Sequence, residues 1–360
     1  MQSSEPLVKP AWRRAIIAAL TLAFLILLAN IYPLISDLVV VLIISLVLAY
    51  VIRPFMTSME GRGISRIYTI LGSFIVLGGL IVLLLRYFIP VLIEEVGSLR
   101  SNLGVLDVET VADKLSYWAE SKMPGASTML GLDVESLNSV VANFQSKATG
   151  FLSTLGGLLA GAANAIALSI VIPFITFFIL RDGDEWNKRW IESVPNRYFE
   201  MTMSLSYKVD QKLGNYIRSI LLESLIIGII SWIAFEVMGL KFALVLGIVC
   251  GLLNMIPFFG PLLAWFPVLL VVLLTYSPIP AGLLYAAIIL VGVQMVDNIL
   301  LKPILISRSV NVHPAAVLMA VLIGGRLAGA LGMFVAVPVY AVIQILVVDL
   351  YTHLRDYKII

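Results

Sequence analysis

The chain has 360 residues, 60% of them hydrophobic and 13% charged, with a mean hydropathy of +1.02 and a formal net charge of +2. A soluble domain is about a quarter charged residues, so this composition excludes an ordinary soluble fold, and it gives no sign of a nucleic-acid partner. The single Cys250 excludes an internal disulfide, and His313 and His353 stand outside any Cys/His cluster that could hold zinc.

The apolar runs are long enough for helical spans rather than barrel strands. A basic pair, Arg13 and Arg14, precedes the first run at 15–31, which no small-x-small cleavage pattern follows. It is expected to stay as a span. Pro33 breaks it and opens a second span at 33–52, and the loop after that carries Arg53, Arg62 and Arg66. A third span covers 67–93. Residues 94–150 hold eight acids against four bases with amphipathic spacing, which predicts a small water-exposed helical insert. A fourth span covers 151–180. Residues 181–219, with seven bases and six acids, read as interfacial amphipathic helices, with Asp182 or Asp184 as a helix N-cap. A fifth span covers 221–239, and Glu223 and Glu236 at its two ends read as interfacial.

The last third carries two interrupted apolar segments of 36 residues each, 241–276 and 315–350. "NMIPFFGP" breaks the first, through Pro257, Gly260 and Pro261. "GGRLAG" breaks the second, through Gly324, Gly325 and Gly329. Between them runs the helix of "VGVQMVDNILLKP", which puts Gln294, Asp297 and Asn298 on one face. Paired Gly/Pro interruptions are the sequence pointer to a transport site, since broken helices leave backbone dipoles that lipid cannot satisfy. The expected architecture is an all-α integral membrane protein: about six full spans, two re-entrant hairpins and the extracytoplasmic insert. Its regions are 1–93 (scaffold and oligomer contacts), 94–150 (insert), 151–180 (fourth span), 181–219 (cytoplasmic amphipathic segment), 220–350 (transport region) and 351–360 (tail). The basic loop at 53–66 and the acidic insert place both termini in the cytoplasm.

An acid at mid-span is costly, so Asp297 should face protein or a water-filled cavity. It either binds a substrate or ion, or pairs structurally with Lys302 or Arg326. Gln294, Asn298 and Asn254 can coordinate a cation or a polyhydroxylated ligand, or else bond between helices. Arg326, beside a membrane-embedded turn, needs a partner or an anion. Pro257, Gly260, Pro261, Pro303, Gly324, Gly325 and Gly329 are structural or gating candidates. No phosphate loop, Ser/His/Asp or HExxH arrangement is present, so neither a motor nor an enzyme is expected. No cofactor or metal is expected beyond Na+ or H+ as a coupling ion, and the expected partners are the bilayer and a small polar solute.

"GLKFALVLGIVCGLLNMIPFFGP", "QMVDNILLKPILISRSVNVHP" and "LIGGRLAGALGMFVAVPV" resemble the autoinducer-2 exporter family of bacterial membrane proteins. The resemblance implies export of small hydrophilic molecules across the bacterial inner membrane, with Na+(Li+)/H+ antiport in some members. It also implies a homo-oligomer, a pentamer, with an elevator-like moving part. Where many members carry Gly-Gln, this chain has Ser219 and Ile220. A scaffold that moves nothing is the reading of another class.

Overall fold

A computed structural model describes residues 38–104, 166–305 and 313–356, with scattered positions from 117 to 157. The described residues are helical with short turns and no strand. The expected span at 15–31, most of the insert at 94–150, the first half of the span at 151–180 and the tail beyond Asp356 lie outside them.

Helix α1 is Leu38–Glu60, running past the expected span end at 52 and through Pro54. A turn with Gly63 at φ +85° leads to α2, Arg66–Gly104. α2 is 39 residues long, so its last turns take up the first residues of the expected insert. α3 is Ile166–Glu192. It does not stop at "RDGDEW", so neither Asp182 nor Asp184 is an N-cap: the helix simply continues out of its apolar part. Asp182 instead pairs with Arg181 at 2.7 Å, and Asp184 with Arg66 at 2.7 Å. α1 and α3 cross where the Thr176 hydroxyl donates to Ile172 O and meets Ser45 O, both side chains fully buried.

α4, Phe199–Val237, is one helix of 39 residues. It joins the expected amphipathic segment and fifth span, which the hydropathy pattern separates. No proline falls between 199 and 237, so nothing in the backbone divides it. α5, Ala243–Asn254, turns back along α4 after Gly239 and Phe242, both at positive φ. Small residues make that seam. A Cβ at Gly251 would lie 2.7 Å from Ser224 O, and one at Gly228 3.2 Å from Gly247 O. Close approach of this kind is the means of helix packing in lipid.

After a break at 255–258, α6, Phe259–Thr275, folds back on α5; a Cβ at Gly260 would fall on the Leu253 carbonyl. At 12 and 17 residues, α5 and α6 extend roughly 18 and 26 Å, short of a hydrocarbon core of about 30 Å. α7, Ile279–Val296, packs against α6 and continues through a π-helical turn, Asp297–Leu301, into Lys302–Leu305. Phe235, Leu246, Cys250, Ala264, Val268 and Ala286 form the core that α4 to α7 share.

α8, Pro314–Asp356, is broken at Ala328 (φ −140°) and Gly329 (φ +59°, ψ −141°). The backbones of Gly324 and Gly332 touch across that break. Eight residues along one helix stand about 12 Å apart, so contact means that the arms fold together as a hairpin. Among the described residues, five helices are long and apolar enough to cross a membrane: Leu38–Glu60, Arg66–Ser98, Asn196–Val237, Ile279–Leu305 and Pro314–Val347, the last of them folded on itself. This is a multi-pass helical membrane protein.

Candidate functional site: a buried carboxyl pair

The π-helical turn shapes the site. Lys302 N–H bonds to Asp297 O, five residues back. In an α-helix residues five apart point about 140° apart around the axis. The extra residue in a π turn takes up about 100° of that offset and brings Lys302 over Asp297. The Lys302 Nζ lies 2.5 Å from Asp297 Oδ2 and donates to Asn298 Oδ1 at 2.8 Å. Gln294 Nε2 donates to Asp297 Oδ2 at 3.2 Å and reaches Asn298 Oδ1 at 3.4 Å. The three residues predicted to share a face therefore form one network, and of the two expected partners it is Lys302 that pairs with Asp297.

The opposite wall comes from α4. Glu223 is fully buried, as is Asp297, and the two carboxyls face each other. Asn254, the last residue of α5 before the first break, donates to Glu223 Oε1 at 3.4 Å. Glu223 Oε2 and Asp297 Oδ1 have no donor. A buried carboxylate oxygen without a donor is costly, so these two atoms mark where a proton or a cation fits. The Tyr216 hydroxyl, two turns below Glu223 on α4, is also buried without a partner.

Glu223 corrects the sequence reading. The apolar window begins beside it, which makes it look interfacial, but α4 starts more than twenty residues earlier, at Phe199. The signal available was the stripe Ser224, Gly228 and Ser231 beside it, small residues at i, i+4 and i+7 that mark a face packed on protein. Glu236 is exposed at the far end of α4, as expected of an interfacial residue. Ser219 donates to Leu305 O at 2.6 Å and ties α4 to the end of the Lys302 helix.

The other candidates lie apart from the pair. Arg326 is exposed, just before the α8 break, and forms no ion pair with a described residue. Gly324, Gly325 and Gly329 build the α8 hairpin. A Cβ at Gly325 would lie 2.5 Å from the Met333 side chain. Pro257 and Gly260 shape the α5–α6 turn, where Phe258 takes φ +66°. Pro261 sits in the first turn of α6, where a missing N–H costs nothing. Pro303 is exposed within Lys302–Leu305, which stays helical.

Two large cavities lie elsewhere among the described residues. One of about 740 Å³ is lined by Tyr50, Arg53, Arg66, Asp184, Asn187 and Asp210. There Arg53 bonds Asp210 at 2.6 Å and Asp184 at 3.3 Å, and the Tyr50 hydroxyl donates to Asp210 at 3.1 Å. Beside it, hydrogen bonds from the Arg181 guanidinium hold the Asp182 carboxyl below the usual carboxylate range. The other cavity, about 880 Å³, lies between α1 and α8 and is apolar, lined by Val39, Ile43, Met319, Gly324 and Val339. Its walls suit acyl chains rather than a polar solute.

The chain is similar in sequence to known proteins over most of its length. The "putative transport protein YrrI" of Bacillus subtilis is 30% identical over 317 residues, covering 85% of each chain. The "putative transport protein YueF" of the same organism is 29% identical over 86% of this chain and 83% of its own. The "putative permease PerM" of Escherichia coli is 26% identical over 86% of both. The family model described as "AI-2E family transporter" matches residues 16–352, and the chain belongs to that family of membrane transporters.

Proposed function

We propose that the chain is a secondary transporter that moves small polar molecules, autoinducer-2-like signals among them, outward across a bacterial cytoplasmic membrane. The observation that carries this reading is the Glu223–Asp297 pair: two fully buried carboxyls, each with an oxygen lacking a donor, beside the first helix break. Intramembrane acids of this kind couple transport to protons or cations. The α5–α6 and α8 hairpins act as re-entrant elements dipping from opposite sides, and the α5–α6 break adjoins the pair through Asn254. The 740 Å³ cavity at the Arg53 end is the cytoplasmic vestibule. The orphan oxygens also favour a second reading, Na+(Li+)/H+ antiport, in which the cation itself is the cargo. A scaffold that moves nothing has no use for two unpaired buried carboxyl oxygens.

The test is uptake and efflux in proteoliposomes with imposed pH and sodium gradients and a panel of small polar solutes. Asp297→Asn keeps the shape and removes the ionisable group. It should abolish gradient-driven movement and leave assembly intact. Normal transport with reduced thermal stability would make Asp297 a structural residue.

The scaffold of the assembly is α1 and α2. Leu80, Val82 and Leu83 on α2 are exposed and apolar and pack on no described helix, so they face lipid or a second copy of the chain. A homo-oligomer, a pentamer by the resemblance, should survive in native mass spectrometry from mild detergent. A monomer alone would refute it.

A further inference from the structure

The Asp297 carboxylate is balanced by an ammonium of the chain itself. The Asp297 side chain is 1% exposed and that of Lys302 is 41% exposed, so the cation has a way out and the anion has none. Glu223, Asp297 and Lys302 together carry one negative charge in excess. A single proton shared between the facing carboxyls brings the cluster to neutrality. The remaining groups around it are the neutral amides Gln294, Asn298 and Asn254, and Tyr216 behind Glu223.

Withdrawal of Lys302 would leave that buried cluster one positive charge short, which low-dielectric surroundings strongly disfavour. It would also vacate one donor position on Asp297 Oδ2 and Asn298 Oδ1, which Gln294 Nε2 still meets at 3.2 and 3.4 Å, beside the already unpaired Asp297 Oδ1 and Glu223 Oε2. That is an all-oxygen site for one monovalent ion; a divalent ion would bring one charge too many. The backbone offers a route. Lys302 stands over Asp297 only because of the π turn, and a one-residue return to α register rotates it by about 100°.

We propose that Lys302 is a tethered counter-ion that competes with one monovalent cation, a proton or an alkali ion, for Asp297, so that each release of its ammonium is matched by uptake of one cation. This rests on reading the Glu223–Asp297 pair as the coupling site, and it gives that site a stoichiometry of one.

The test uses full-length purified protein in detergent. Thermal stability is titrated with NaCl or LiCl at constant ionic strength against N-methylglucamine chloride, and separately with pH. If an alkali ion is the competitor, Lys302→Met should lower the half-saturating Na+ or Li+ concentration at least about fivefold, because the ion no longer displaces an ammonium. Lys302→Arg should stay near wild type, and adding Asp297→Asn to Lys302→Met should abolish the response. If a proton is the competitor, alkali ions have no effect in any variant. Lys302→Met should then raise the pH midpoint of the stability curve by about one unit, since the carboxyls lose the cation that favours their charged form. Lys302→Gln repeats both titrations with a polar side chain, should the Met variant not fold. Titrations unchanged in Lys302→Met and Lys302→Gln, with either one altered in Asp297→Asn, would overturn the competition and spare the coupling site. Asp297→Asn unchanged in both titrations and in gradient-driven transport would remove the coupling site as well.

Discussion

Glu223 and Asp297 are fully buried and face each other, and stability should respond in opposite directions to neutralising one or the other. Glu223→Gln replaces an oxygen without a donor by an amide that can donate to Asp297 Oδ1. It also removes the repulsion between two carboxyls, so thermal stability should hold or rise while coupled transport is lost. Asp297→Asn removes the partner of Lys302. Because Lys302 is partly exposed, the loss should be modest, about 1–2 kcal/mol rather than the larger figure for a fully buried pair. Thermal unfolding of the two variants side by side checks both signs; a large loss in Glu223→Gln would contradict the facing-carboxyl geometry. Asp297 was legible in the sequence because a lone acid in an apolar run has a cost that must be met. Glu223 was not, because an acid at the edge of a hydropathy window looks interfacial until the helix holding it is known to start at Phe199.

At the scale of the helix, the breaks were legible because glycine and proline act through local backbone rules that need no tertiary context. Gly329 takes φ +59° with ψ −141°, a conformation that side chains oppose. A Cβ at Gly324 would strike the Gly332 carbonyl. Gly329→Ala and Gly324→Val should each cost about 1–3 kcal/mol and lower the yield of folded protein. Gly292→Ala, on α7 with open space around it, should be neutral or slightly stabilising. Thermal shift of the three variants decides it, and equal losses at all three sites would refute the α8 hairpin. The lengths of α2 and α4 were not legible. Both pass from apolar to polar surroundings without changing conformation, and hydropathy records the surroundings only. The π turn was hidden for a related reason, since nothing in "DNILL" distinguishes a wide turn from a regular one before packing fixes it.

For the whole molecule, charge sets orientation. The end of α1 and the turn into α2, with Arg53, Arg62 and Arg66, should lie in the cytoplasm, and with both interrupted segments re-entrant so should Ser307, which is outside the described residues. In a Cys250→Ala background, Ser307→Cys should label only with a reagent that reaches the cytoplasmic face; labelling from outside would mean that the interrupted segments span fully. Arg53 and Asp210 join α1 to α4 at that same end, with side chains 37% and 43% exposed. α4 carries Asp210 at the 740 Å³ cavity and Glu223 at the carboxyl pair on one uninterrupted backbone. Its 39 residues span roughly 58 Å, nearly twice the hydrocarbon thickness. Asp210 and Glu223 stand roughly 20 Å apart along it, so a 5° swing about one displaces the other by about 2 Å. One backbone thus joins the Arg53–Asp210 ion pair to the carboxyl pair, so that any tilt of α4 at the first is a change of position at the second, with no chain of intermediate side chains to relay it.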